Sequence, residues 1–395
     1  MNPVHWTYGA EGNANLVLRY NGPDVSLKAK ILRLRKAVSL AEEETPEFTL
    51  AFNETVIAPL LGRDYIVPMT IVRIGPEFLE AIIAAIEPFR PQDRLERPID
   101  SDVRWAFVAP DLTQQWCPAT TLTIELKPKW GFLPTSPLIK QTHQKIKSSR
   151  CRFCMHTHLK NHQLSQYCPL DLYSLNPARM RRALRALILQ PNQQKLRIFL
   201  NGHNLPLDEL ENHDCPLHML FFQQQPSRLI DHVIDLSLEI LLREPILTRL
   251  KHIQSRLDEL DIEGMFPIYQ ACNQPDTHDI RFWQDAVQRF QERVQAQPVA
   301  GPKMSDSTAE QIQRLYEYVL SMTFKDCSIM LSATPHTDHI ASDKLVEVAN
   351  RQFAYNVKVV DIDLKKMSKI PYWFNLDQRI IEHALQHRIQ QRCVE

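Results

Sequence analysis

Residues 121–129 read Thr121-Leu122-Thr123-Ile124-Glu125-Leu126-Lys127-Pro128-Lys129. Apolar side chains at 122, 124 and 126 alternate with polar ones at 121, 123, 125 and 127, the period of two that a strand imposes. Pro128 ends the run, because proline has no N–H to give to a ladder. On such a strand Glu125 and Lys127 stand on one face about 7 Å apart. Lys129 follows on a turn whose entry the proline ring fixes. Two ammonium groups held this way suit phosphate oxygens; taken alone, a solvated strand with surface charges would read the same.

Toward the N-terminus, residues 6–20 read as two strands joined by a turn at Glu11-Gly12-Asn13, and 28–35 as a strand with Ile31, Arg33 and Arg35 on one face. A helix is expected over 77–86, ended by Pro88, and a short strand over 105–109, stopped by Pro110. Beyond 129 the spacing turns helical over 177–189, 229–242, 246–260 and 309–322. Short strands are expected at 197–200, 327–331 and 357–364, and a loop or linker at 298–307. A strand-rich first third followed by a helix-rich remainder is an α+β pattern, not regular βαβ alternation.

Charge balances at 46 basic against 46 acidic residues, but its distribution does not. Residues 126–207 hold 14 Lys or Arg and one acidic residue, Asp171; the remainder holds 32 basic and 45 acidic residues. This asymmetry points to an anionic partner for the middle of the chain. Nucleic acid, a phosphorylated small molecule and anionic lipid stay open on charge alone, as does mutual packing of basic and acidic segments. With 44% hydrophobic and 23% charged residues, the composition is that of a globular protein with ample length for a core. Eight scattered cysteines exclude a secreted disulfide scaffold. The first 20 residues lack the apolar core of a signal peptide, and the longest apolar run, 81–86, is far short of a bilayer span. An intracellular, reducing setting and no membrane partner are expected.

Three further stretches carry candidate chemistry. In Val359-Val360-Asp361-Ile362-Asp363-Leu364-Lys365, alternation places Asp361, Asp363 and Lys365 on one strand face, where a carboxylate beside a cleft suits a magnesium–nucleotide site; a polar edge strand is the plain alternative. In Lys325-Asp326-Cys327-Ser328-Ile329-Met330, Asp326 sits between a helix and a strand, as a catalytic aspartate or a turn former does. Cys151-x-x-Cys154-x-His156-x-His158 suggests zinc. On a helix, however, Cys151, Cys154, His158 and His162 spread over roughly 16 Å, too far for one ion with bonds near 2 Å. A structural site would need a second pair from elsewhere, and zinc is not expected. No P-loop, G-x-G-x-x-G, protein-kinase signature or RNA-recognition motif is present, so nucleic acid is not an expected partner.

Taken in order, these pieces resemble the inositol-pentakisphosphate 2-kinases over almost the whole chain. The motifs are Trp6-x-Tyr8 leading to Glu11-Gly12-Asn13-Ala14-Asn15, then Lys30-Ile31-Leu32-Arg33-Leu34-Arg35-Lys36, Arg90-Pro91-x-x-Arg94, Glu125-x-Lys127-Pro128-Lys129, and Arg152-Phe153-x-Met155-His156-x-x-Leu159-Lys160. Pro169-Leu170-Asp171-Leu172, Leu260-Asp261-Ile262-Glu263-Gly264, Lys325-Asp326-Cys327-Ser328 and Asp361-x-Asp363-Leu364-Lys365 complete them. The resemblance implies a two-lobed inositol phosphate kinase fold distantly related to protein kinases, with an N-lobe over 1–112 and a C-lobe over 113–395. Within the C-lobe it places inositol phosphate binding near 126–207 and catalysis near 325–365. It implies transfer of the ATP γ-phosphoryl to the 2-hydroxyl of inositol 1,3,4,5,6-pentakisphosphate, with magnesium. A polyanion-binding module without catalysis, for inositol phosphate or RNA, is the alternative.

By the same resemblance Asp326 and Lys127 are catalytic, and Asp361 and Asp326 hold metal. Glu11, Gly12, Asn13, Ala14, Asn15, Arg33 and Glu125 line the nucleotide. Arg94, Lys129, His156, Lys160, Arg197, Lys365 and Lys369 line the inositol phosphate. A monomer is expected, in nucleus or cytoplasm, nucleus by family resemblance only. The sequence departs from the family at Gly9-Ala10-Glu11-Gly12, where R-G-E-G is usual, and at Ser368-Lys369-Ile370-Pro371-Tyr372-Trp373. Around Cys272 it also lacks the C-x-x-C of the zinc-binding insert found in plant and animal members.

Overall fold

A computed structural model describes residues 1–12, 14–36, 45–189, 196–212, 214–222, 228–272, 277, 279–297, 307–340, 342–389 and 392–395. Asn13, Lys195 and most of the 298–307 stretch lie outside these. The described residues form helices and two wholly antiparallel sheets, an α+β arrangement.

The first sheet has the order β1 (Trp6–Glu11), β2 (Asn15–Tyr20), β3 (Lys30–Arg35), β5 (Trp105–Pro110), β4 (Thr70–Arg73). Alternation predicts β2 and β3 well. Leu16, Leu18, Leu32 and Leu34 are fully buried and meet Phe78, Leu79 and Ile82 of the helix Pro76–Ile86, while Val17, Arg19, Ile31, Arg33 and Arg35 take the other face. Residues 46–65 lie between β3 and β4 in the chain, yet Phe48, Phe52, Val56, Ile57 and Leu61 pack into the core of the second sheet.

That second sheet runs β10 (Leu345–Val348), β11 (Arg351–Val360), β9 (Ser328–Pro335), β6 (Leu122–Leu126), β7 (Leu196–Leu200), β8 (His203–Leu205). Its centre excludes the solvated strand that the 121–127 pattern also allowed, since every residue of β6 and β9 is buried. The polar face of β6 is covered by residues 111–114 and is satisfied there. Thr123 Oγ1 and Ser332 Oγ each donate to the Leu112 carbonyl, at 2.9 and 2.8 Å. A buried hydroxyl with a partner avoids the desolvation cost of an orphan. On the other face, Leu122, Ile124 and Ile198 join the helices Pro177–Leu189 and Leu229–Arg243 in one large core. Among the described residues no helix is long and apolar enough to cross a membrane.

Candidate active site

Register brings the chemistry together. Leu126 at the end of β6 pairs with Ile329 near the start of β9, and Ile329 pairs with Val359 near the end of β11. Because these three strands are antiparallel, β6 and β11 leave the sheet at the same edge from which β9 enters. Lys127 and Lys129 follow β6, Asp326 precedes β9, and Asp361 follows β11. Lys127 Nζ donates to Asp361 Oδ2 at 3.0 Å, and Lys129 Nζ to Asp326 Oδ1 at 2.9 Å. Lys365 Nζ lies 4.0 Å from Asp326 Oδ2. Both carboxylates keep more than half of their side-chain surface exposed, 56% and 58%, although Lys325, Cys327 and Ile362 beside them are buried.

The backbone is held hard around these side chains. The strand expected over 357–364 stops at Val360, and Asp361 takes φ 61°, so Asp361, Asp363 and Lys365 do not share a strand face. Lys129 is also left-handed, at φ 63°. Such positions cost about 1–3 kcal/mol and persist only where surroundings impose them. Here the carbonyl of Pro128 accepts from Tyr167 Oη at 3.0 Å. The carbonyl of Lys129 accepts from Gln254 Nε2 at 3.1 Å and from Tyr173 Oη at 3.2 Å. A Cβ on Gly131 would lie 2.7 Å from the Tyr173 ring, so only glycine lets the chain pass.

Asp326 is fixed from both sides. Lys325 is buried, pairs with Asp258, donates to Ser321 Oγ at 3.0 Å and stands 4.1 Å from the Trp130 ring centre. Burial pushes its ammonium down from the usual value, with Asp258 opposing. On the other side burial raises the Cys327 thiol to about 12, which leaves it inert as a nucleophile. Between these two buried anchors only the Asp326 side chain turns outward.

Electrostatics keep the site ionised. Burial works to raise Asp326, but Lys129, then Lys365 and Lys127, outweigh it and hold the carboxyl below its usual range. Lys127 is likewise desolvated, yet Asp361 and Asp326 keep its ammonium above the ordinary lysine value. One step away, Arg33 Nη2 donates to Asp363 at 2.8 and 2.6 Å and Asn15 Nδ2 donates at 3.3 Å, joining the first sheet to the end of β11. Burial opposes the Asp363 charge, but Arg33 prevails and holds its pKa low.

The remaining expected residues fall in several places. Glu125 is buried and pairs with Arg197 Nη2 at 2.5 Å, its direct cross-strand partner on β7. The side chain of Glu11 is also buried and binds Lys36 and Arg90; burial would raise it, but these cations hold it low. Its side chain therefore ties the end of β1 to Lys36 and Arg90, while Gly12 N–H donates to Asn15 O at 2.8 Å and Ala14 O accepts from Lys36 N–H at 2.9 Å. His156 and Lys160 ride one stripe of the helix Arg152–Asn161 with Arg152, which stacks 4.9 Å over the Trp130 ring next to Lys129. Arg94 lies 3.4 Å from Asp93, and Lys369 is exposed in the turn Met367–Lys369.

Sequence reading missed Gln254, Tyr167 and Tyr173, and assigned no role to Lys325. Gln254 is fully buried; besides the Lys129 carbonyl it serves Gly131 N–H at 2.8 Å and the Phe324 carbonyl at 3.0 Å. One amide thus ties the Lys129 turn to the Asp326 turn, and nothing local marks it. Gln254→Leu keeps the volume but strips partners from buried groups worth about 1–3 kcal/mol each. We expect a stability loss of at least about 2 kcal/mol and a kcat that falls more than KM rises. Denaturant unfolding within about 0.5 kcal/mol of wild type would remove Gln254 from this role.

The helix by itself does not gather four ligands, as its length implied, but the expectation of no zinc meets a cysteine cluster. The helix holds Cys151 as N-cap and Cys154 in its first turn, and His158 turns instead to His383, ring nitrogens 2.9 Å apart. The missing second pair exists: Cys168 and Cys393 meet Cys151 and Cys154.

The site's class follows from its parts: paired carboxylates among convergent lysines suit phosphoryl transfer to a phosphorylated acceptor. A family model described as inositol-pentakisphosphate 2-kinase matches residues 8–379, and the chain belongs to that family, one of phosphotransferases. Similar proteins include the inositol-pentakisphosphate 2-kinase of Danio rerio, 27% identical over 98% of this chain and 94% of its own length. Those of Cryptococcus neoformans var. neoformans (97% and 94%) and Arabidopsis thaliana (95% and 92%) are each 28% identical.

Proposed function

We propose that this protein transfers the γ-phosphoryl group of ATP to the 2-hydroxyl of inositol 1,3,4,5,6-pentakisphosphate, giving inositol hexakisphosphate and ADP. The observation that carries the reading is the ionised, outward-facing Asp326 set between Lys129 and Lys365, with Asp361 and Lys127 beside it. Asp326 orients the hydroxyl and takes its proton as the new O–Pγ bond forms and the bond to the β-phosphate oxygen breaks. Lys127, Lys129 and Lys365 hold the transferring group and neighbouring phosphates as fixed charges, pre-positioned by Pro128 and the Lys129 turn. Arg94, His156, Lys160, Arg197 and Lys369 extend this cradle toward the other phosphates.

The nucleotide lies between the two sheets, under the 11–15 loop and beside Arg33 and Glu125, an arrangement of two kinase-like lobes divided near residue 112. Half-exposed carboxylate oxygens are the donors magnesium takes while keeping part of its water shell, and Asp361 and Asp326 supply them. Bound there, the ion would offset charge on the β- and γ-phosphate oxygens. Asp361→Asn removes one hard anionic ligand, so the magnesium concentration for half-maximal rate should rise; an unchanged magnesium dependence would move the metal elsewhere.

Incubation with magnesium, ATP and inositol pentakisphosphate, followed by anion-exchange separation, should yield hexakisphosphate. A binder without catalysis predicts retention of the inositol phosphate and no product. Tight RNA binding at physiological salt, with no binding of the inositol phosphate, would overturn the kinase reading and leave a nucleic-acid-binding module.

A further inference from the structure

We propose that Cys151, Cys154, Cys168 and Cys393 form a tetrathiolate zinc site that pins the 392–395 segment to the start of the Arg152–Asn161 helix. Each offers a sulfur within 4.8 Å of the other three, and all four residues are buried. Cys151 Sγ and Cys168 Sγ stand 3.9 Å apart. Tetrahedral zinc with Zn–S bonds near 2.3 Å requires sulfur–sulfur edges of about 3.8 Å, whereas a disulfide needs about 2.05 Å. Four thiols packed only as core would turn to carbon neighbours; these turn to one point.

Three separate chain segments supply the ligands, and each is built for it. Cys151 caps the helix, and the backbone N–H of Cys154 donates to its sulfur at 3.4 Å, a contact that favours a thiolate. Cys168 immediately precedes the short helix Pro169–Leu172. Cys393 arrives from 225 residues beyond it in sequence, and its N–H donates to Ser149 O at 3.0 Å. Zinc with four thiolates carries two net negative charges, and the adjoining cavity wall contains Arg392 beside Cys393, together with Arg179 and Arg182, which share the single carboxylate of Asp171 at 2.9 and 3.0 Å. Arg179 also donates to the Val394 carbonyl, and Glu395 pairs with Lys251 at 3.1 Å, so the metal completes an existing clasp. This place in the fold is distinct from the insert after Gly264 where other family members carry their C-x-x-C.

The clasp has a consequence for the site, resting on the function proposed above. Arg152, His156 and Lys160 begin one residue after Cys151, so the metal anchors the helix that presents them to the inositol phosphate.

The test uses the full chain purified under reducing conditions without chelator. Elemental analysis should find one zinc per chain, released when a mercurial titrates the thiols. Cobalt exchange should give the thiolate-to-metal absorption of a tetrahedral sulfur site. Cys393→Ser and Cys168→Ser should each weaken zinc retention by at least about 10-fold, while Cys117→Ser, at an exposed cysteine outside the cluster, should not. In Cys393→Ser the KM for inositol pentakisphosphate should rise with the KM for ATP unchanged. Wild-type protein free of metal, or a thiol count in denaturant lowered by disulfides, would overturn the proposal, as would full zinc retention in the Cys168→Ser/Cys393→Ser double variant. Metal content is read without any assay of turnover, so failure of the kinase reading leaves this result standing.

Discussion

Asp326→Ala should lower kcat by about 10²- to 10⁴-fold, the usual contribution of a positioned proton acceptor, with inositol phosphate affinity unchanged or tighter. Removing a carboxylate from a polyanion site relieves repulsion, and it frees Lys129, now 2.9 Å from Asp326 Oδ1, for phosphate. The fold should tolerate the change, because the Asp326 side chain is more than half exposed while Lys325 and Cys327 hold the turn from within. A variant keeping more than about a tenth of wild-type kcat would exclude Asp326 as the proton acceptor.

The same aspartate fixes a pH expectation. Lysine neighbours hold its folded pKa below the ordinary carboxylate value of about 3.9. A depressed folded pKa contributes stability that is present above the unfolded value and is lost as pH falls through the folded one. Asp326 is therefore ionised throughout neutral and mildly acidic pH, and no acid loss of kcat between about pH 5 and 8 should trace to it. A loss in that window that disappears in Asp326→Glu but not in other carboxylate variants would contradict the assignment.

Lys127→Met should lower kcat/KM by about 10- to 150-fold, from a charge-assisted phosphate contact worth roughly 1.5–3 kcal/mol. Methionine retains the apolar stem, and the lost ion pair with the half-exposed Asp361 is worth little to the fold. Melting temperature should therefore stay close to wild type while turnover falls. Unchanged kinetics would reduce the Glu125-x-Lys127-Pro128-Lys129 run to a strand with surface charges; a large fall in melting temperature would instead make Lys127 structural.

Much of the local structure was legible because its causes are local. The β1–β2 hairpin, the alternation that buries Leu32 and Leu34, and the stop of β6 before Pro128 follow from side-chain period and proline chemistry. The helix starting at Pro76 and ending at Ile86 is of the same kind. The basic stretch, the paired lysines and the aspartates at 326 and 361 could also be singled out by residue type and spacing. One alternative fell and one reading failed where neighbours intervened. β6 is not a solvated strand, because residues 111–114 cover its polar side, and β11 ends at Val360 because Asp361 turns left-handed.

Sequence alone settled which residue types are available and which short segments become strands or helices, since propensity, period and turn chemistry act over a few residues. Which of these segments meet depends on long-range packing. The Lys129–Asp326 and Lys127–Asp361 contacts join residues 197 and 234 positions apart, and they exist because the β6–β9–β11 register aligns three strand ends. Register is a pairing between distant segments, and a slip of one residue would turn every side chain to the other face. The same holds for Gln254 beneath the Lys129 turn and for the cysteine cluster. A helix capped by Cys151 and carrying Cys154 in its first turn cannot reveal that Cys168 and Cys393 will be folded onto it, because that meeting is made by packing across the whole chain.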